Sequence, residues 1–174
     1  MATDVALDYK VVGKGWAECS LDFYGTKFTV TASYLSDALL ELVSGTNHIL
    51  AGGNEARFSF DEEPGEFRWI MRRTLDGGLA VRILDFPELW GRMPDEEGAV
   101  LMDVTCQLRD FADALLLSLN ALLLELGVTG YRDKWGKSEF PSAQYRTLCE
   151  HLGELPSPHL TIDNRKTKGS KRTL

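Results

Sequence analysis

The sequence predicts an α+β domain. The expected architecture is a two-layer sandwich, a mainly antiparallel sheet of about six strands with three helices packed on one face, in the order β-β-α-β-β-β-β-α-α. Three observations lead there. Most apolar runs alternate with polar residues at period two, the pattern of strands with one dry and one wet face. Tight-turn residues separate these runs, which favours antiparallel neighbours. Three other segments carry apolar residues at steps of three and four, as amphipathic helices do.

In Ala17 to Phe23 the apolar set is Ala17, Cys19, Leu21 and Phe23, and in the next run it is Phe28, Val30 and Ala32, with Tyr24-Gly25 between them as a hairpin turn. A helix over 35–50 follows from the stripe Leu35, Leu39, Leu42, Thr46 and Ile49, with Ser33, Ser36 or Asp37 at its start, Gly45 weakening its middle and Gly52-Gly53 at its end. Phe58 and Phe60 mark a third strand. Pro64-Gly65 turns into Phe67, Trp69 and Met71, and Asp76-Gly77-Gly78 turns into Leu79, Val81 and Ile83. Val100, Met102, Val104 and Cys106 give a sixth strand. The second helix, Arg109 to Leu126, is apolar around most of its circumference and stops at Gly127. A helix of that kind needs cover. A third helix near Pro141, with Tyr145, Leu148 and Leu152 on one stripe, supplies it.

Length and composition agree with one domain over residues 1–160. Residues 161–174 read as a basic, flexible tail. From Asp163 onward five cations face one acid, a balance of +4, so the rest of the chain carries −11 of the net −7. An acidic body repels nucleic acid and favours basic partners. The tail could touch RNA or an acidic surface, or serve only as a solubilising end. The apolar run Ala114 to Leu126 is too short and interrupted to cross a bilayer, and the first residues lack a signal-peptide pattern. Three scattered cysteines then suggest reduced thiols, so a cytoplasmic, membrane-free location is expected.

Little in the chain points to chemistry. There is no Gly-x-Ser-x-Gly elbow, and the phosphate-cradling glycine patterns are missing. Cys19, Cys106 and Cys149 alternate or stripe like buried hydrophobes. Cys149, His151 and His159 form the one soft-ligand cluster, but side chains two apart on a helix diverge, so no metal and no cofactor are expected and no catalytic residue is nominated.

Binding is the better reading. Glu88 and Trp90 in one loop, and Tyr131 and Trp135 in the segment Tyr131 to Pro141, mix aromatic and charged residues as contact surfaces do; the same aromatics could equally plug the core. On the wet sheet face, pairing Met71 with Ile83 would set Arg72 opposite Arg82, with Arg68 nearby. Those arginines make either an anion-binding face or a solvated one interleaved with Asp61 and Asp103. The leading function is a non-catalytic intracellular binding domain for another protein of basic character. The alternative is a small-molecule or anion-binding protein, or an enzyme, using the arginine face. A homodimer through the outer sheet face or an edge strand is a third possibility. In general character only, an acidic compact body with aromatic loops resembles bacterial immunity proteins that neutralise basic toxins. That resemblance implies Glu88, Trp90, Trp135 and the acidic loops as contacts.

Overall fold

A computed structural model describes residues 4–90 and 92–160. The tail expected over 161–174 lies outside the described residues. Strands β1 (Val5–Val11), β2 (Trp16–Phe23) and β3 (Thr26–Ser33) form an antiparallel sheet in that spatial order. Helix α1 (Ala38–Leu50) leads to a second antiparallel sheet, β4 (Glu55–Asp61), β5 (Glu66–Arg73), β6 (Leu79–Phe86) and β7 (Ala99–Cys106), again in chain order. Helices α2 (Leu108–Trp135) and α3 (Ser142–Leu152) complete the chain of regular elements. The α+β class and the helical layer are as expected, while the single sheet of six strands is replaced by sheets of three and four.

The additional strand is β1, where Val5, Leu7, Tyr9 and Val11 are buried and the residues between them exposed. The sheets are separate because β3 and β4, though adjacent, share no backbone ladder. At their junction side chains replace the backbone ladder: the Asp61 N–H donates to Ser36 Oγ at 3.0 Å, and Thr31 Oγ1 donates to Glu62. The β2–β3 turn has both central residues left-handed, Tyr24 at φ 54° and Gly25 at φ 87°, which matches the twist of the flanking strands.

One continuous core runs through both sheets and all three helices, from Val5 to Leu160. α1 starts three residues later than expected, because Asp37 rather than Ser33 or Ser36 accepts the Leu40 N–H. It lies on β4 at close range: a Cβ at Gly45 would stand 2.9 Å from the Phe58 ring. α2 lies along β1. There Ser118, itself buried, accepts the Tyr9 N–H at 2.8 Å, so the helix satisfies a backbone donor on the open side of that strand.

α2 does not stop at Gly127. That glycine, at φ 64° and ψ 179°, kinks the helix, which resumes to Trp135. The contact loop expected over Tyr131 to Pro141 is therefore largely helix and core. Tyr131 and Trp135 are buried, stacked at 6.3 Å, and Phe140 closes on Tyr131 edge-on at 5.7 Å. By length and composition α2 could cross a membrane, but over half of its most apolar window is buried inside the domain.

Replacing Ser118 with Ala strands a buried N–H on β1. It should lower stability by about 1–3 kcal/mol in chemical denaturation, whereas Leu117→Ala, on the exposed face of the same helix, should change it by less than about 0.5 kcal/mol.

Candidate functional site

The outer side of the four-stranded sheet is the place where polar groups gather. The register there differs from expectation. Met71 pairs with Val81, Arg72 with Ala80 and Ile70 with Arg82, because the β5–β6 loop has five residues rather than three. Thr74 closes that loop, its N–H donating to Gly78 O and its carbonyl accepting from Gly77 N, both at 3.0 Å. Arg82 consequently faces not Arg72 but Asp103, with which it forms an ion pair.

Arg57, Arg68, Arg72 and Arg82 each have a carboxylate partner. Arg72 binds Glu55, and Arg57 binds Asp95. Arg68, only 15% exposed, donates to Asp95 and to Glu66 at 2.8 Å each and lies 4.1 Å from the centre of the Phe86 ring. Glu66 is buried and uses its second oxygen to accept from Ser59 Oγ at 2.6 Å. The structure therefore does not gather Arg68, Arg72 and Arg82 around one point. The residues that do converge are Arg57, Ser59, Glu66, Arg68 and Asp95. Sequence reasoning passed over both Glu66 and Asp95, the latter because it opens the acidic run Asp95-Glu96-Glu97, which reads as a solvated loop.

This network fastens the β6–β7 connection, described at residues 87–90 and 92–98, across the sheet as a strap. Leu89 N–H donates to Pro64 O at 2.7 Å, Arg68 donates to Met93 O at 2.8 Å, and Asp95 bridges Arg57 and Arg68. Beneath the strap Ile70, Leu84 and Phe86 make a second small apolar cluster on the side expected to be wholly wet. Gly98 must approach it closely, for a Cβ there would stand 2.6 Å from the Phe86 ring. A signal for this cluster exists in the sequence: Trp69-Ile70-Met71 and Ile83-Leu84 break the alternation with consecutive apolar residues.

Of the nominated contacts, Glu88 and Trp90 lie on the strap and are exposed, Trp90 to 70%. Trp90 and Arg92 both hold left-handed backbone, φ 55° and 49°. Beside Trp90, burial raises the Asp61 carboxyl above its usual range, reinforced by Glu66 and opposed by the Trp90 side chain. In Asp95 the bond from Arg57, aided by Arg68, lowers the carboxyl.

The other chemical candidates lie elsewhere. Cys19, Cys106 and Cys149 are free and buried, and burial pushes the Cys106 thiol up to about 12, which removes thiolate character. His48, His151 and His159 are exposed. No group of three His, Cys, Asp or Glu side chains that could hold a metal occurs among the described residues. A cleft of about 590 Å³ opens between the first turns of α1 and α3 and the helical segment after Gly127, walled by Leu40, Val128 and Phe140 with Asp37 and Arg132 at its rim. Arg132 there is paired with Glu139 at 3.5 Å. No protein-family model, curated protein or solved structure matches the chain.

Because the folded pKa of Asp95 is depressed, its stabilisation is present above the unfolded value of about 3.9 and is lost as pH falls through the lower folded value. Asp95→Asn should therefore cost about 1–3 kcal/mol at neutral pH. The loss should shrink on acidification below about pH 4, read from denaturation curves across that range.

Proposed function

We propose that this chain is a non-catalytic binding domain whose partner is another protein, basic in character, contacted through the strap around Trp90. The observation that carries the reading is a large aromatic side chain held 70% exposed on a segment that is otherwise pinned. A tryptophan left in water forgoes burial worth about 1.5–3 kcal/mol for a large apolar side chain, burial that a bound partner would restore. Left-handed backbone at two non-glycine residues adds a cost of about 1–3 kcal/mol each. The ion pairs of Asp95 and the bond to Met93 O hold the strap against that cost. Such a contact loses little entropy on binding, because it is ordered beforehand.

Charge gives the partner its sign. Glu63, Glu88, Glu96 and Glu97 are exposed on the strap and on the β4–β5 turn to which it is bonded. Arg57, Arg68, Arg72 and Arg82 are already neutralised by carboxylates within the chain, so these four acids outweigh the exposed Arg92 of the strap and set the local potential. An immunity-type role, in which an acidic protein covers a basic one, is one biological form such a binder takes.

The test is affinity capture from cells at low ionic strength with the wild-type chain, Trp90→Ala and Arg82→Ala. A protein held by wild type and by Arg82→Ala, released by salt and lost with Trp90→Ala supports the reading. Captured proteins indifferent to Trp90, or none at all, count against it. Trp90→Ala should itself fold with stability within about 0.5 kcal/mol of wild type.

A further inference from the structure

The two sheets have four edges, and the fold treats them differently. β1 is covered along its outer side by α2, with Ser118 taking the Tyr9 N–H. β3 and β4 face each other across the junction made by Ser36, Thr31 and Glu62. β7 has β6 on one side, and among the described residues no backbone bond leaves it on the other. Along an antiparallel edge strand, alternate residues turn both N–H and C=O away from the sheet. An edge left this way is a template for a further strand unless something blunts it.

Blunting here is partial. Opposite Ile83 and Leu84 the ladder slips by one residue, so β7 is bulged at Leu101. From Met102 to Cys106 it runs regularly beside β6. No lysine or proline occurs in β7, the residues that usually protect such edges. Val100 and Leu101 are instead exposed, to 58% and 38%.

The charge around the edge selects among occupants. Asp85 lies opposite Ala99 at the start of β7, Glu96 and Glu97 immediately precede the strand, and Asp110 is in the first turn of the helix that follows it. Among the described residues none of these four acids has an ion pair, whereas the nearby cations Arg82 and Arg109 are engaged by Asp103 and Asp113. A second copy of this chain would bring the same acids against themselves, and like charges opposed across strands are unfavourable.

We propose that β7 is a docking edge for an extended lysine- or arginine-bearing segment of a partner protein, which adds to the four-stranded sheet as a fifth strand. The backbone supplies the ladder, the acids at both ends of β7 fix the sign of the incoming chain, and Val100 and Leu101 receive its apolar side chains. The edge shares Glu96 and Glu97 with the strap but does not include Trp90. Trp90 reaches Asp61 on β4, at the far side of the sheet, three strand spacings or about 14 Å away.

A short synthetic peptide alternating lysine with valine is the probe, titrated into the isotopically labelled chain and followed by amide resonances. Saturable shifts concentrated on residues 101–106 are expected. Affinity should fall by about tenfold or more when alternate peptide amides are N-methylated, and likewise in the double variant Val100→Lys, Leu101→Lys. Trp90→Ala should bind the peptide as wild type does. No binding, binding indifferent to N-methylation, or equal binding of an aspartate-for-lysine peptide would overturn the proposal. Equilibrium sedimentation showing that the free chain pairs with itself through β7, dissociated by the double variant, would overturn it in favour of a second copy. Peptide binding that depends on Trp90 and not on β7 would overturn the docking edge while leaving the strap reading standing.

Discussion

The constraint on which this fold depends is the covering of α2. Its buried set, from Leu108 through Leu123 and on to Tyr131 and Trp135, spans more of the circumference than a helix on one sheet can hide. The structure answers by laying the helix along β1, closing α3 and the 3-10 turn Pro158–Leu160 over it, and kinking it at Gly127 so that its last turns re-enter the core. Tyr145 ties these parts together: its hydroxyl donates to Asn120 Oδ1 at 2.6 Å and accepts from the Ser157 N–H at 2.8 Å. Helices gathered on one side then dictate that anything the sheets offer to other molecules must come from their outer side or their edges.

On that outer side the decisive effect is local neutralisation. Arginine is always charged, and planar donors placed a few ångströms from carboxylates find them. Glu55, Glu66, Asp95 and Asp103 take up Arg57, Arg68, Arg72 and Arg82. Most of these pairs are exposed and contribute little to stability. Arg68 differs, because it is nearly buried, serves two carboxylates and a carbonyl, and lies over Phe86. It therefore does structural work, holding the strap down, that the same residue on an open face would not do.

How much of this was legible depends on whether the signal was local. Alternation identified six strands and marked the inner face, since the burial of Phe58, Phe60, Trp69 and Met71 follows from period two alone. β1 carries the same alternation and adds a strand that the expected order lacked. The register of β5 on β6 was not legible in the same way, because it turns on loop closure by Thr74 and Asp76, and a two-residue slip keeps every side chain on its face. Tyr131 and Trp135 were ambiguous in principle. Glycine at 127 is a good helix terminator, and only the need to bury α2 turns the stop into a kink. Of the contact site, Glu88 and Trp90 could be named from the sequence, while the Asp95 clasp could not, since it joins residues 38 and 27 positions apart.

The strap shows why an exposed aromatic can persist without help from chemistry. Ile70, Leu84 and Phe86 cluster on the outer face, with Gly98 of the strap close against Leu84 and Phe86 and Arg68 over the Phe86 ring. Covering them needs a connection that crosses the sheet and returns, and the return places Asp95 between Arg57 and Arg68. Once the segment is fixed at Pro64, Met93 and Asp95, the residues between those anchors have few directions open to them. The left-handed turns at Trp90 and Arg92 aim the indole outward rather than down into the small cluster. Burial of three apolar residues and neutralisation of two arginines thus set the position of the side chain, and its exposure follows from the geometry of the anchors.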